Sequence, residues 1–215
     1  MGKLRFEISM SLDGYVAGPN QSLDDPLGKG GEELHEWIFP LAAWRREHGQ
    51  EGGEITASSP LLEQRVANLG AYIMGRNMFG GGPGGWGDGS WEGWWGDDPP
   101  YHVPVFVLTH HPREPLPMAG GTTFHFVTDG IESALARARE AAGERDVLLA
   151  GGADVANQYL RANLLDELQI NLTPVLLGSG ERLFDGLAGA SPKLEQTRVV
   201  EGVGVTHLFY RRQDG

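Results

Sequence analysis

The chain has 215 residues, 40% of them hydrophobic, a formal charge of −12 and no cysteine. Its length and apolar content fit one domain, 1–215, and its acidity argues against nucleic acid and anionic membranes as partners. The lack of cysteine excludes disulfides, cysteine-zinc sites and a thiol nucleophile, as expected of a cytoplasmic protein. Residues 3–11 alternate weakly and predict a strand with Phe6, Ile8 and Met10 on one face. The charged N-terminus runs directly into that strand, unlike a signal peptide, and no apolar run approaches the ~20 residues of a membrane span. Residues 12–20 read as a loop with short extended parts. Over 32–47, Leu34, Trp37, Ile38, Leu41 and Trp44 recur at helical spacing, with Pro40 expected to kink or split the helix. Ser58 or Ser59 is a candidate cap for a helix with Pro60 in its first turn, running to about Asn68 and stopped by Gly70.

A strand at 71–74 runs into Gly75-Arg76. Beyond it lies the least ordinary stretch: nine of the 17 residues from Gly80 to Gly96 are glycine, and Trp86, Trp91, Trp94 and Trp95 are four of the chain's six tryptophans. Glycine at that density is costly to order, so the tryptophans of this insert, taken as 80–98, must bury against a partner subunit, the body of the domain or a ligand. A buried strand over 103–109 ends at Thr109-His110-His111. A short strand at 122–127, an amphipathic helix at 130–142, a strand at 146–150 and a helix at 153–162 follow. Strand 167–174 continues into a turn-rich segment, and 194–200 with 204–211 form a closing antiparallel hairpin around 201–203. The order predicts an α/β fold: a mixed, mostly parallel sheet flanked by helices, with an antiparallel C-terminal hairpin.

Two junctions carry the functional reading. Leu148-Leu149-Ala150-Gly151-Gly152 runs straight into a helix, and Ile73-Met74-Gly75-Arg76 repeats the idea. Bare turns of this kind let backbone N–H groups and a helix dipole approach an anion, and an arginine there offers charge-assisted bonds to phosphate. In a parallel sheet the strand ends at Met74, Leu108 and Ala150 converge on one cleft. The three-glycine Rossmann pattern is absent, as is an acidic residue ~20 positions on. The adjacent histidines have no third ligand at metal spacing, so no metal is expected. With no nucleophile-base pair in view, a cofactor is left to carry any hard chemistry. A different reading makes the chain a nucleotide-binding or interaction module that docks partners through the tryptophan-rich insert.

Four segments in order, Ser9-Met10-Ser11-Leu12-Asp13-Gly14-Tyr15-Val16-Ala17-Gly18, Ile73-Met74-Gly75-Arg76-Asn77-Met78-Phe79, Gly151-Gly152-Ala153-Asp154-Val155 and Thr173 to Phe184, resemble the dihydrofolate reductase-like superfamily. The likeness covers about 3–211 and is closest to the reductase domain of the bifunctional riboflavin-biosynthesis deaminase/reductase. It implies a homodimeric NADPH-dependent reductase with a sheet of about eight strands, acting on a C=N or C=O bond of a small heterocyclic or sugar-derived substrate. By position, Gly75, Arg76 and Asn77 belong to the cofactor site, with Gly75 and Arg76 at its phosphates. Thr109, His110 and His111 lie near the adenosine 2′-phosphate. Gly151, Gly152, Ala153, Asp154 and Val155 pass under the pyrophosphate and nicotinamide ribose, and Val16 and Ala17 flank the nicotinamide. Asp13 faces the substrate, and Glu33 is the nearest equivalent of the superfamily's acid; these two, or an ordered water, are the expected proton donors. Two features depart from the pattern: without cysteine the chain supplies at most the reductase half, and the insert is foreign to the family.

Overall fold

A computed structural model describes residues 2–82, 84–187, 189–190 and 192–213, so Pro83 of the insert lies outside the described residues. In chain order the elements are β1 (Leu4–Ser11), β2 (Tyr15–Ala17), a 3-10 turn (Gly31–His35), α1 (Ala42–Glu47), α2 (Ser59–Ala67), β3 (Leu69–Gly75), α3 (Arg76–Phe79), β4 (Pro104–Leu108), β5 (Leu116–Pro117), β6 (Thr123–Val127), α4 (Ile131–Ala142), β7 (Asp146–Gly151), α5 (Ala153–Arg161), β8 (Glu167–Thr173), β9 (Glu181–Arg182), β10 (Leu194–Gly202) and β11 (Val205–Arg212). Nine strands form one sheet in the order β10-β11-β8-β1-β7-β3-β4-β6-β5, and β2 pairs with β9 separately. The six from β8 to β6 run parallel. The closing hairpin β10–β11 and the two-residue β5 are antiparallel additions at the edges. The sheet is therefore the expected one, with β5 adding a strand too short to carry a periodic signal.

Alternation decides which face each strand buries. Leu4, Phe6, Ile8 and Met10 of β1 point with Ile73, Leu149 and Ile170 into a core closed by α4 and α5. On the opposite face Tyr72, Met74, Val105, Val107 and Phe124 join Phe79 and the insert's Trp86, Trp91 and Trp95. A third cluster, Trp37, Ile38, Leu41, Ala43 and Leu62, covers Val205 at the far end of the same face.

One local expectation is met and one is corrected. The 32–47 helix is split, as expected of Pro40: the 3-10 turn ends at His35, and α1 starts only after Leu41. Pro40 has no N–H to continue the ladder. Its carbonyl instead accepts from Glu54 N–H at 2.8 Å, while Ala42 N–H donates to Glu54 O at 2.9 Å. Ser58 precedes α2 but makes no side-chain cap bond. Its hydroxyl lies 2.8 Å from Nε2 of His207, whose Nδ1 is 2.7 Å from Asn171 Oδ1. Asn171 donates its own amide to Glu7, so its Oδ1 accepts from His207 Nδ1–H, and Nε2 is left to accept the Ser58 hydroxyl. Burial holds this imidazole below its usual range, hence neutral, with Glu7 opposing that shift and Arg198 reinforcing it. A local cap is thus exchanged for a long-range buried link between α2 and the sheet.

Candidate functional site

The parallel run places the C-terminal ends of β7, β3 and β4 side by side. Met74 stands opposite Gly151 and Gly75 opposite Leu108, so at the ~4.8 Å spacing of neighbouring strands the three ends fall within about 10 Å. Positions 75, 109 and 151 thus open on one edge, as the strand-glycine-helix pattern requires. β7 carries an extra residue there: Leu149 faces Ile73 and Gly151 faces Met74, leaving Ala150 as a bulge, a device that re-aims a strand end.

Glycine is needed where these ends close on one another. A Cβ on Gly75 would stand 2.9 Å from Val155 Cγ2 and 3.6 Å from Gly152 N. A Cβ on Gly151, which sits at φ 137, would meet Met78 Sδ at 3.4 Å, and one on Gly152 would meet Glu181 Oε1 at 3.8 Å. Gly152 precedes α5 with no side-chain cap, leaving the helix's first N–H groups uncovered by their own cap residue. Ala153 and Val155 are buried in the core, so 151–155 offers the groove its backbone, and Asp154 is exposed with its carboxylate accepting from Gln158 at 2.9 Å.

Arg76 opens α3 at the end of β3. Its Nε, Nη1 and Nη2 are buried and have no hydrogen-bond partner among the described residues. The guanidinium instead lies on the Trp86 ring, 3.7 Å from its centroid. Burial, and secondarily the charge of Arg113, pull Arg76 below the ordinary arginine range. Asn77 is exposed beside it. Thr109 is buried, with its N–H bonded to Val127 O and its hydroxyl accepting from His111 N–H. His110 is exposed, and the His111 carbonyl accepts the Trp86 indole N–H at 2.9 Å.

The insert folds back over this end of the sheet. Trp91 and Trp94 donate their indole N–H groups to Phe79 O and Met78 O at 2.9 and 2.8 Å. Arg113 donates to the carbonyls of Trp91 and Gly89 at 2.6 and 2.9 Å. The four tryptophans are all partly buried within the chain's own packing, so the docking reading loses the open aromatic face on which it rests.

Other expected site residues sit differently. Asp13, at the end of β1, accepts the Ser11 hydroxyl at 2.6 Å and the N–H groups of Leu177 and Gly178 at 3.2 and 2.7 Å. Those bonds, the Ser11 one foremost, hold its carboxyl below the usual range. It fastens the loop after β8, and an acid so stabilised in its ionised form is a poor proton donor. The Val16 side chain packs in the main core, so only its backbone can reach a ligand. Ala17 is buried and pairs with Glu181. Glu33 is exposed on the 3-10 turn, on the wall of a separate cleft of about 250 Å³ that also holds Trp37, Thr173 and Val175.

One groove residue escaped the sequence reading. Glu181 of β9 lies across Gly152 at the start of α5. Burial raises its carboxyl above the ordinary range and Asp154 adds to this, while the Ala153 and Asp154 N–H groups draw it back. Its pairing with Ala17 places it there, and no local pattern announces that. Among the described residues no group of three or more His, Cys, Asp or Glu side chains is arranged to hold a metal, and no helix is long and apolar enough to cross a membrane.

Comparisons with known proteins agree with this geometry. The family model of the RibD C-terminal domain matches residues 2–208. The uncharacterized protein YwjB of Bacillus subtilis (strain 168) is 36% identical over 62 residues, which are 29% of this chain and 35% of that protein; the match spans about a third of that relative's length. Among solved structures, a putative riboflavin biosynthesis protein from Shewanella sp. PV-4 superposes with a TM-score of 0.62 at 25% identity, over 100% of both chains. The Thermotoga maritima diaminohydroxyphosphoribosylaminopyrimidine deaminase/5-amino-6-(5-phosphoribosylamino)uracil reductase gives 0.57 at 12%, covering 99% of this chain and 57% of that one. Enterococcus faecalis dihydrofolate reductase complexed with NADP(H) gives 0.53 at 15%, over 99% and 98%. The last two likenesses establish the fold.

Proposed function

The chain belongs to the RibD C-terminal domain family, and on that premise we propose that it is a riboflavin-type reductase that uses NADPH to reduce a C=N or C=O bond of a small heterocyclic or sugar-derived substrate. The name of the Shewanella protein supports the pathway class. The observation that carries the coenzyme is Arg76. A guanidinium buried without a counter-ion or an acceptor is expensive, and a phosphate is the ligand that would satisfy its fork of donors. Gly75 and Gly152 leave backbone beside it that a Cβ would fill, so the residues fit a dinucleotide lying along the ends of β3 and β7.

When bound, the nicotinamide supplies the hydride. The chain's own part is to bind, orient and manage protons. Arg76 holds a phosphate at the β3 end. Gly151 and Gly152 let the ligand lie close against α5. The carboxylates of Glu181 and Asp154 disfavour a second phosphate over the start of that helix and suit hydroxyl donors such as those of a ribose. Of Glu181 and Asp13, the former, raised by burial, is the one disposed to retain a proton beside Gly152, whereas the bonds to Asp13 favour its ionised form. Glu181 is therefore the groove's proton-holding group in this reading.

The test is titration of NADPH and NADH against the intrinsic tryptophan emission, followed by turnover on a panel of pterins, aminopyrimidines and sugar-derived imines. Saturable binding with NADPH preferred, and oxidation of NADPH by at least one panel member, is expected. Absence of binding by either coenzyme overturns the proposal, and binding without turnover returns the chain to a nucleotide-binding module.

A further inference from the structure

A cleft of about 380 Å³ opens on the sheet face that α2 crosses. Alternation puts it there: Leu4 and Phe6 of β1 go to the main core, so Arg5 and Glu7 point to the other face. α2 supplies Arg65, and β10 and β11 close the far wall with Arg198, Phe209 and Arg211. The lining follows the N-terminal halves of β1 and β8, which lie two and three strands from β3, about 10–14 Å across the sheet at the usual strand spacing. It is thus set apart from the edge formed by positions 75, 109 and 151.

The charge of this cleft opposes that of the molecule. The chain carries −12 overall with 17 basic residues. Five of those, Lys3, Arg5, Arg65, Arg198 and Arg211, line the cleft, against two acids, Glu7 and Glu167. Three of the five have close partners: Lys3 pairs with Glu167, Arg5 with Asp146 and Arg211 with Glu195. Arg65 and Arg198 differ. Arg65 stands 3.6 Å from Glu7, beyond hydrogen-bond range, and its buried Nε has no hydrogen-bond partner among the described residues. Glu7 is engaged instead by the Asn171 amide at 3.0 Å. The Arg198 guanidinium rests on the Phe209 ring, 5.4 Å from its centroid. Two guanidinium forks from separate elements therefore face one space without bonding an acceptor among the described residues.

We infer that this cleft is a second binding site, for a small phosphomonoester, whose phosphoryl group is held by Arg65 and Arg198. The volume is that of a small-molecule site. A planar guanidinium binds oxyanions through paired N–H donors. A phosphomonoester offers three oxygens and nearly two negative charges, which two forks can share; one carboxylate offers two oxygens and a single charge. Leu61, Leu148 and the Phe209 ring give the rest of the molecule an apolar surface. None of these residues stands at the glycine junctions, so the site is independent of the coenzyme reading.

The experiment titrates inorganic phosphate calorimetrically into the full chain carrying Arg76→Met, which removes the unpartnered guanidinium at the other edge from the count. Succinate serves as a dicarboxylate control. Saturable binding of one phosphate per chain is expected, tighter than that of succinate. Arg198→Gln in the same background should weaken it by about tenfold, the effect of one charge-assisted hydrogen bond. Arg65→Lys keeps a cation beside Glu7 but loses the fork, and should also weaken it. Arg46→Gln, on α1 and outside the cleft, should leave it unchanged. In the chain that retains Arg76, Arg198→Gln should leave NADPH affinity as it is. Absence of saturable phosphate binding overturns the inference, and so does an unchanged affinity in Arg198→Gln. An equal loss in Arg46→Gln would mean diffuse attraction to surface charge and also overturns it. Succinate binding as tightly as phosphate overturns the phosphoryl assignment, and a parallel loss of NADPH affinity in Arg198→Gln overturns the separateness of the site.

Discussion

Replacing Arg76 by methionine separates a structural role from a ligand-binding one, because the two predict opposite signs. Methionine retains an unbranched stem against Trp86. In the ligand-free chain the substitution loses a cation–π contact at 3.7 Å, about 0.5–2 kcal/mol. It also removes three buried, unpartnered donors and a charge repelled by Arg113, a relief of at least about 1–3 kcal/mol. The free chain should therefore be unchanged or slightly more stable, a rise in Tm of a few degrees at most given about 2–4 °C per kcal/mol at this size. Coenzyme binding should suffer by the loss of a charge-assisted bond, about 1.5–3 kcal/mol, or roughly 10- to 150-fold in Kd. Thermal melts with and without NADPH read both effects in one assay: the parent should gain a ligand-induced shift that Arg76→Met largely lacks. A variant that melts well below the parent when ligand-free, yet binds NADPH as tightly, would make Arg76 a packing residue of the insert and remove it from the phosphate site.

Three further perturbations follow from the same geometry. Gly75→Ala places a Cβ 2.9 Å from Val155 Cγ2 and 3.6 Å from Gly152 N; overpacking of about 1–3 kcal/mol and weaker NADPH binding are expected, and full retention of affinity would place the ligand away from this junction. Glu181→Gln should raise Tm at neutral pH, since the folded carboxyl lies above its unfolded value of 4.5 and its charged form is penalised only at pH above that value. The gain must therefore close as pH falls toward 4.5, and a pH-independent gain contradicts the assigned cause. The variant should also lose the fall in turnover that deprotonation of Glu181 causes in the parent as pH rises. His207→Leu should lower Tm by leaving the buried Ser58 hydroxyl without its acceptor and removing one of the two donors to Asn171 Oδ1, the other being Gln169. Because the folded imidazole lies below its unfolded 6.5, the parent's advantage is full above that pH and narrows below it; a gap that widens in acid would contradict the neutral assignment.

The parts of this site visible in the sequence are those encoded by neighbours in the chain. The runs 71–75 and 147–151 are apolar on both sides, as buried parallel strands must be, and each ends in glycine just before a helix, so their junctions could be placed by inspection. Asp13 was visible as a carboxylate at a strand end, but its use was not: the two N–H groups that bind it belong to Leu177 and Gly178, more than 160 positions away. Ser58 looked like a helix cap because its local sequence supports one, and His207, 149 positions on, takes the hydroxyl instead. Glu181 reaches the groove through a two-residue pairing of β9 with β2, too short for any periodicity. That Arg76 lacks a partner is a statement about everything that is not near it, which a linear reading cannot contain.

The charges at the sheet edge give the groove a direction. On the β3–β4 side stand two guanidiniums, Arg76 and Arg113, that pair with no carboxylate among the described residues and share one indole. On the β7 side the start of α5 is met by two carboxylates, Asp154 and Glu181, whose mutual repulsion helps raise the latter. A helix N-terminus alone favours an anion by at most ~2 kcal/mol, and here the Ala153 and Asp154 N–H groups that would supply it already face the Glu181 carboxyl. In the proposed reading a phosphate therefore seats toward β3 and β4, although the glycine pair at 151–152 looks, on backbone grounds, like the better anion seat. A ligand with phosphates at one end and a hydroxyl-rich, uncharged ring at the other has one orientation in such a field. It places its reactive end beside Gly152 and Glu181, the carboxyl able to keep a proton there.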